Sequence, residues 1–165
     1  MIRNSLLIAM LALVLAACSD RSAPSSESGF VPSKQTPALV VETFQGGKFD
    51  LAEYRGKWVV VNFWATWCAP CLKEIPDFNA FAKSRKDVQF IGLAYEEITR
   101  EDMSAFLKDH PIDYPFAIID VYNPPEHFET PRGLPMTVLI APGGKVSKTF
   151  LGPVTASDIE AVMSV

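Results

Sequence analysis

Cys68 and Cys71 form a Cys-x-x-Cys pair just after a β-branched and aromatic run, Trp58 to Trp64, and at the start of a helical pattern. A thiol at a helix N-terminus meets unpaired backbone N–H groups and the positive end of the macrodipole, and both favour the thiolate. The thiolate is the species that attacks a disulfide. Cys71, one turn further in, is placed to attack the resulting mixed disulfide and release the partner. Pro70 falls in the first helical turn, where a missing N–H costs nothing, and Trp67 offers an apolar rim beside the nucleophile. The expected chemistry is a pair cycling between dithiol and disulfide. The same spacing would serve as half of a zinc site, but a second half is missing. His110 and His127 lack ligand spacing to each other, and Cys18 lies about 50 residues upstream. No metal or cofactor is therefore expected. A lipoprotein holding copper or zinc on the same thiols is the competing reading, since soft thiolates suit Cu(I). A purely structural disulfide also fits an oxidising compartment.

The elements that must position this pair are legible in the periodicity. Leu39–Phe44 reads as a strand, Gln45–Lys48 as a Gly-Gly turn and Phe49–Leu51 as the returning strand of an N-terminal hairpin. The near-continuous apolarity of Trp58–Trp64 suits a central strand buried on both faces. Ala69–Ser84 carries Leu72, Ile75, Phe78 and Phe81 as one apolar stripe, with Pro76 expected to kink the helix. Val88–Tyr95 is a second buried strand. Thr99 caps a helix from Arg100 to Asp109, with Asp102 completing a capping-box-like pair. Phe116–Ile119 and Met136–Ile140 are further strands. Pro142–Lys145 turns into Val146–Leu151, and Thr155 caps a last helix, Ala156–Val165. Strands alternating with helices, closed by a hairpin and a helix, make a mixed α/β sheet. The 165 residues, 48% hydrophobic and 21% charged, suffice for one domain with a real core. A net charge of -4 argues against nucleic acid as a partner.

The run Val61-Asn62-Phe63-Trp64-Ala65-Thr66-Trp67-Cys68-Ala69-Pro70-Cys71, followed by Glu74-Ile75-Pro76, resembles the thioredoxin superfamily in its TlpA/ResA-like extracytoplasmic branch. Gly133-Leu134-Pro135-Met136-Thr137 is similar to that family's cis-proline loop. The resemblance covers Leu39 to Val165. It implies a thioredoxin-like fold: a central mixed sheet flanked by helices, with an N-terminal β-hairpin. It also implies protein disulfides or thiols outside the cytoplasm as substrates, a membrane thiol carrier as electron donor, and a monomer. The substrate strand would meet Trp67, Pro70, Leu134 and Pro135, with Pro135 in cis. Asn62 stands where cytoplasmic thioredoxins carry a buried Asp and cannot take a proton. The resemblance associates Glu74 with the active site, where it would repel the thiolates or accept the Cys71 proton; a solvated helix residue is the other reading. Met136 replaces the more usual Thr and would alter docking or pack against the active-site Trp. Tyr122–Pro131, with Pro124, Pro125 and Pro131, should lack the helix found in many relatives. It reads as a surface loop or a partner-recognition segment. Glu96 and Glu97 read as solvated carboxylates.

The N-terminus has its own signal. Arg3 precedes an apolar run from Leu6 to Ala17, too short to span a bilayer. Leu15-Ala16-Ala17-Cys18 resembles the bacterial lipobox, which implies cleavage after residue 17 and lipidation of Cys18. Residues 18–37, rich in Ser and Pro, read as a flexible tether, leaving 38–165 as the folded domain. The expected location is the periplasmic face of the cell envelope, with Ser19 rather than Asp after the lipidated cysteine favouring the outer membrane.

Overall fold

The computed structural model describes residues 36–164. The lipobox, Cys18 and all of the tether up to residue 35 lie outside the described residues. Pro37, counted with the tether on composition, is buried, so the packed domain begins slightly earlier than the sequence pattern suggests.

Among the described residues, seven strands and three helices follow in chain order. The N-terminal hairpin is β1 (Val40–Glu42), shorter at both ends than the expected Leu39–Phe44, and β2 (Lys48–Asp50), which lies one residue earlier than the expected Phe49–Leu51. Gly46 and Gly47 adopt φ near +90° in the connecting turn, a conformation that L side chains avoid. Leu51–Tyr54 winds into a 3-10 turn whose entry is capped by Asp50 accepting from the Ala52 N–H. Its first residue, Leu51, is fully buried rather than continuing the strand.

The main sheet has the order β5-β4-β3-β6-β7. Here β3 is Trp58–Trp64, β4 Val88–Tyr95, β5 Phe116–Ile119, β6 Met136–Ile140 and β7 Val146–Leu151. The first three of this sheet in sequence, β3, β4 and β5, run parallel; β6 is antiparallel to β3, and β7 to β6. Central β3 is buried on both faces from Val59 to Trp64, as its lack of alternation requires. One face packs Phe49, Leu51, Phe63, Leu93, Val138 and Phe128 under the hairpin and the loop before β6. The other packs Val60, Phe78, Phe81, Phe90 and Ile159 beneath the helices.

Helix α1 (Ala69–Ser84) carries Ile75, Phe78 and Phe81 into the core and continues through Pro76, which is exposed. Helix α2 (Arg100–Phe106) is capped by Thr99 Oγ1, which accepts from the Asp102 N–H; it ends earlier than the sequence suggests, in turns that run to His110. Helix α3 (Ala156–Met163) opens on a full capping box between Thr155 and Asp158. The segment from Val121 to Pro135 is irregular, as its prolines dictate, and is pinned by Phe128 packing on Phe63 at a centroid distance of 6.1 Å.

Candidate active site

The sheet delivers the cysteines at the C-terminal end of β3. The chain turns after Trp64, with the Cys68 N–H donating to the Ala65 carbonyl at 3.1 Å. Cys68 is the N-cap of α1: its backbone is extended, its carbonyl accepts from the Leu72 N–H, and its Sγ accepts from the Cys71 N–H at 3.3 Å. The nucleophile expected from sequence thus occupies the one position where a helix aims a free N–H at a side chain. Pro70 lies in the first turn and leaves no buried donor unsatisfied. Cys68 and Cys71 are joined as a disulfide and both are buried, packed among Trp64, Ala65, Ile75, Ala94 and Phe116. Trp67 beside them is 69% exposed, an apolar platform in solvent next to the disulfide.

Strand β6 brings the second motif to the same place. The Leu134–Pro135 bond is cis, and Leu134 packs against the cluster that holds both cysteines. Asn62 on β3 faces Thr137 on β6 in register, and its Nδ2 donates to Thr137 Oγ1 at 3.0 Å. Both are buried, so this polar pair is satisfied within the sheet and supplies no titrating group. Met136 departs from the expectation that it would meet the active-site Trp. It is opposite Phe63 and turns into the core with Phe63 and Phe128, so its thioether fills the interior instead.

Glu74 resolves the alternative left open by its spacing. It is not a solvated helix residue: it is 6% exposed, and Oε1 accepts the Val154 N–H at 2.6 Å. Burial pushes its pKa up to about 7, with a smaller push from Asp77, while the Val154 bond pulls the other way. Its second oxygen is buried without a protein partner among the described residues, as is the Tyr114 hydroxyl. Burial, and then repulsion from Glu74, raises the Tyr114 phenol above its usual range. An ionisable carboxyl therefore lies one helical turn below Cys71, anchored to the loop that opens α3.

Sequence reasoning missed Glu96. It reads as solvated from its position, yet it is buried, with Oε1 accepting the Thr66 N–H at 2.6 Å and Oε2 the Thr66 hydroxyl at 2.9 Å. In the sequence its place directly after a buried strand is the one local mark it carries, and its partner Thr66 is 30 residues away. Glu97 does remain outside the core and meets the Tyr122 hydroxyl at 3.4 Å. The His residues stay apart: His110 stacks on Phe106 and His127 is exposed.

A mixed five-stranded sheet with a cysteine pair at the N-terminus of its first long helix, and a cis-proline loop packed beside it, defines a thioredoxin-like thiol–disulfide oxidoreductase. The chain belongs to the AhpC/TSA family, whose model matches residues 32–151. It is 33% identical over 138 residues to a thiol-disulfide oxidoreductase ResA of Bacillus cereus, covering 79% of this chain and 75% of that one. With ResA of Bacillus subtilis (strain 168) the identity is 30% over 138 residues, covering 78% of this chain and 72% of the relative. Among solved structures, a thiol:disulfide interchange protein of the thioredoxin family from Chlorobium tepidum TLS superposes with a TM-score of 0.66 at 28% identity, covering 78% of this chain and 92% of that one. StoA from Bacillus subtilis shares the fold, with a TM-score of 0.64 at 21% identity over 78% of this chain and 98% of that one.

Proposed function

We propose that this oxidoreductase works outside the cytoplasm, tethered to the cell envelope through a lipid on Cys18, and runs in the reducing direction. The observation that carries the exchange chemistry is the placement of Cys68 as the N-cap of α1, with its sulfur accepting the Cys71 N–H; the reducing direction is supported by the resemblance to the TlpA/ResA-like branch. In the reducing direction, the Cys68 thiolate attacks a client disulfide and displaces one client sulfur as a thiolate, which takes up a proton. Cys71 then gives up its proton, attacks Cys68 Sγ and expels the second client sulfur. The client gains two electrons and two protons, and the Cys68–Cys71 disulfide is formed. A membrane thiol carrier returns the electrons. The clients are extracytoplasmic proteins with misformed or obligatory transient disulfides, such as cytochromes awaiting haem or cysteines oxidised by error. An extended client segment lies between Trp67 and the Leu134–Pro135 loop, with Pro70 lining the near side.

The lipobox resemblance supports the anchor, and Ser19 supports sorting to the outer membrane. No helix among the described residues is long and apolar enough to cross a membrane. The test combines mass spectrometry of the mature N-terminus with a redox titration of the Cys68–Cys71 pair. A diacylated or triacylated Cys18 and a potential below the glutathione couple support the proposal. An unmodified N-terminus, or a potential near those of strong periplasmic oxidants, overturns it.

A further inference from the structure

The segment that leads into Cys68 is held by one side chain from a neighbouring strand. Glu96 follows β4 directly, and both of its oxygens are engaged by Thr66: the backbone N–H at 2.6 Å and the hydroxyl at 2.9 Å. Thr66 is two residues before the nucleophile, so its Cα lies within about 7.6 Å of that of Cys68. The opposite end of this turn is closed by the Cys68 N–H on the Ala65 carbonyl. The loop is therefore fixed between two anchors, and one of them is a carboxylate in a largely water-excluded site.

We propose that Glu96 is a positioning residue of the redox centre, holding the Thr66–Trp67 segment in place and setting a fixed negative charge beside Cys68 that favours the disulfide over the dithiol. This role rests on reading Cys68–Cys71 as the cycling pair. Thiolate at Cys68 is repelled by the charge, whereas the disulfide is neutral, so the charge weakens the dithiol state alone. This opposes the helix N-terminus, which stabilises the same thiolate. The charge thus offsets the helix N-terminus and shifts the pair toward releasing its electrons.

Among the described residues no cationic side chain pairs with Glu96, whose hydrogen-bond partner is Thr66 alone. Arg100, at the start of α2, covers the Phe44 ring at 4.3 Å and donates to the Phe44 carbonyl at 2.8 Å. Arg132 pairs with Glu129 at 2.7 Å. Lys73 is exposed on α1. Glu74 on α1 is held by Val154, and Glu97 faces Tyr122. At a separation of about 10 Å and an effective dielectric near 20, one charge moves a thiol pKa by roughly one unit.

The test compares full-length wild-type protein with E96Q and E96D. Glutamine keeps an acceptor for the Thr66 N–H and removes the charge; aspartate keeps the charge on a shorter arm. Each is titrated in dithiothreitol buffers, and the Cys68 thiol is titrated by thiolate absorbance. E96Q should lower the Cys68 pKa by roughly one unit and shift the equilibrium toward dithiol several-fold, up to about ten-fold. E96D should stay within about two-fold of wild type, because the charge persists. An E96Q protein with wild-type pKa and equilibrium overturns the inference, as does an E96D protein shifted as far as E96Q. A wild-type pair that never cycles would instead defeat the oxidoreductase reading itself, which separates the two failures.

Discussion

Glu74→Gln isolates the energetic consequence of burying a carboxyl under the cysteine pair. In the folded protein burial raises the Glu74 pKa to about 7 from an ordinary value of 4.5. Between these values the folded state holds a proton that the unfolded state has released. Stability therefore falls as pH rises through this window. The contribution is fully present below about pH 4.5 and is lost once pH passes about 7. A shift of that size corresponds to about 3 kcal/mol, an order-of-magnitude value. Glutamine keeps an oxygen for the Val154 N–H and cannot ionise, so E74Q should lose this pH dependence. The assay is urea unfolding of the oxidised wild type and E74Q at pH 5 and pH 8. The difference between the two proteins' pH slopes should be a few kcal/mol, with E74Q the more stable relative to wild type at pH 8. Parallel pH profiles for the two proteins would refute the claim that burial of Glu74 dominates its titration.

Cys71→Ser should trap a mixed disulfide between Cys68 and a client or glutathione, seen by non-reducing gels and mass spectrometry, whereas Cys68→Ser should trap little. Gly92→Ala should destabilise the domain by about 1–3 kcal/mol in urea unfolding, because the added Cβ would lie 3.0 Å from Phe116 Cβ and from Trp64 Nε1. Thr155→Ala should cost about 1 kcal/mol through the lost capping box of α3, with the redox equilibrium unchanged. Cys18→Ser should release the protein from membranes into the soluble envelope fraction, read by fractionation and blotting.

The secondary structure was legible wherever burial is symmetric or strictly periodic. β3 from Trp58 to Trp64 and α1 from Ala69 to Ser84 end where the apolar patterns end, because those patterns answer to local geometry. The hairpin was blurred at Leu51, whose burial reads equally as strand continuation or as the start of a 3-10 turn. The end of α2 was blurred for a similar reason, since Leu107 still faces the core after the helix has given way to turns. At the site, Cys68, Cys71 and Pro135 carry distinctive local chemistry and could be found by motif. The environments of Glu74 and Glu96 could not. Their roles depend on Val154 and Thr66, which are 80 and 30 residues distant in sequence, and periodicity does not encode contacts of that range. Met136 shows the same limit: its side chain follows the pleat of β6 into the core, and only the β3–β6 register reveals which way that is.

That Cys68 and Cys71 form a reducing redox couple is tested most directly by equilibrating the full-length protein in dithiothreitol or glutathione buffers. The dithiol fraction can be read by alkylation and mass shift. A single two-electron transition confined to Cys68 and Cys71 is expected, with a midpoint well below the glutathione couple, which lies at roughly −220 to −260 mV by extraction methods. A midpoint near about −120 mV, the range of strong periplasmic oxidants, would contradict the reducing role. So would a disulfide that no dithiothreitol concentration reduces in the folded protein.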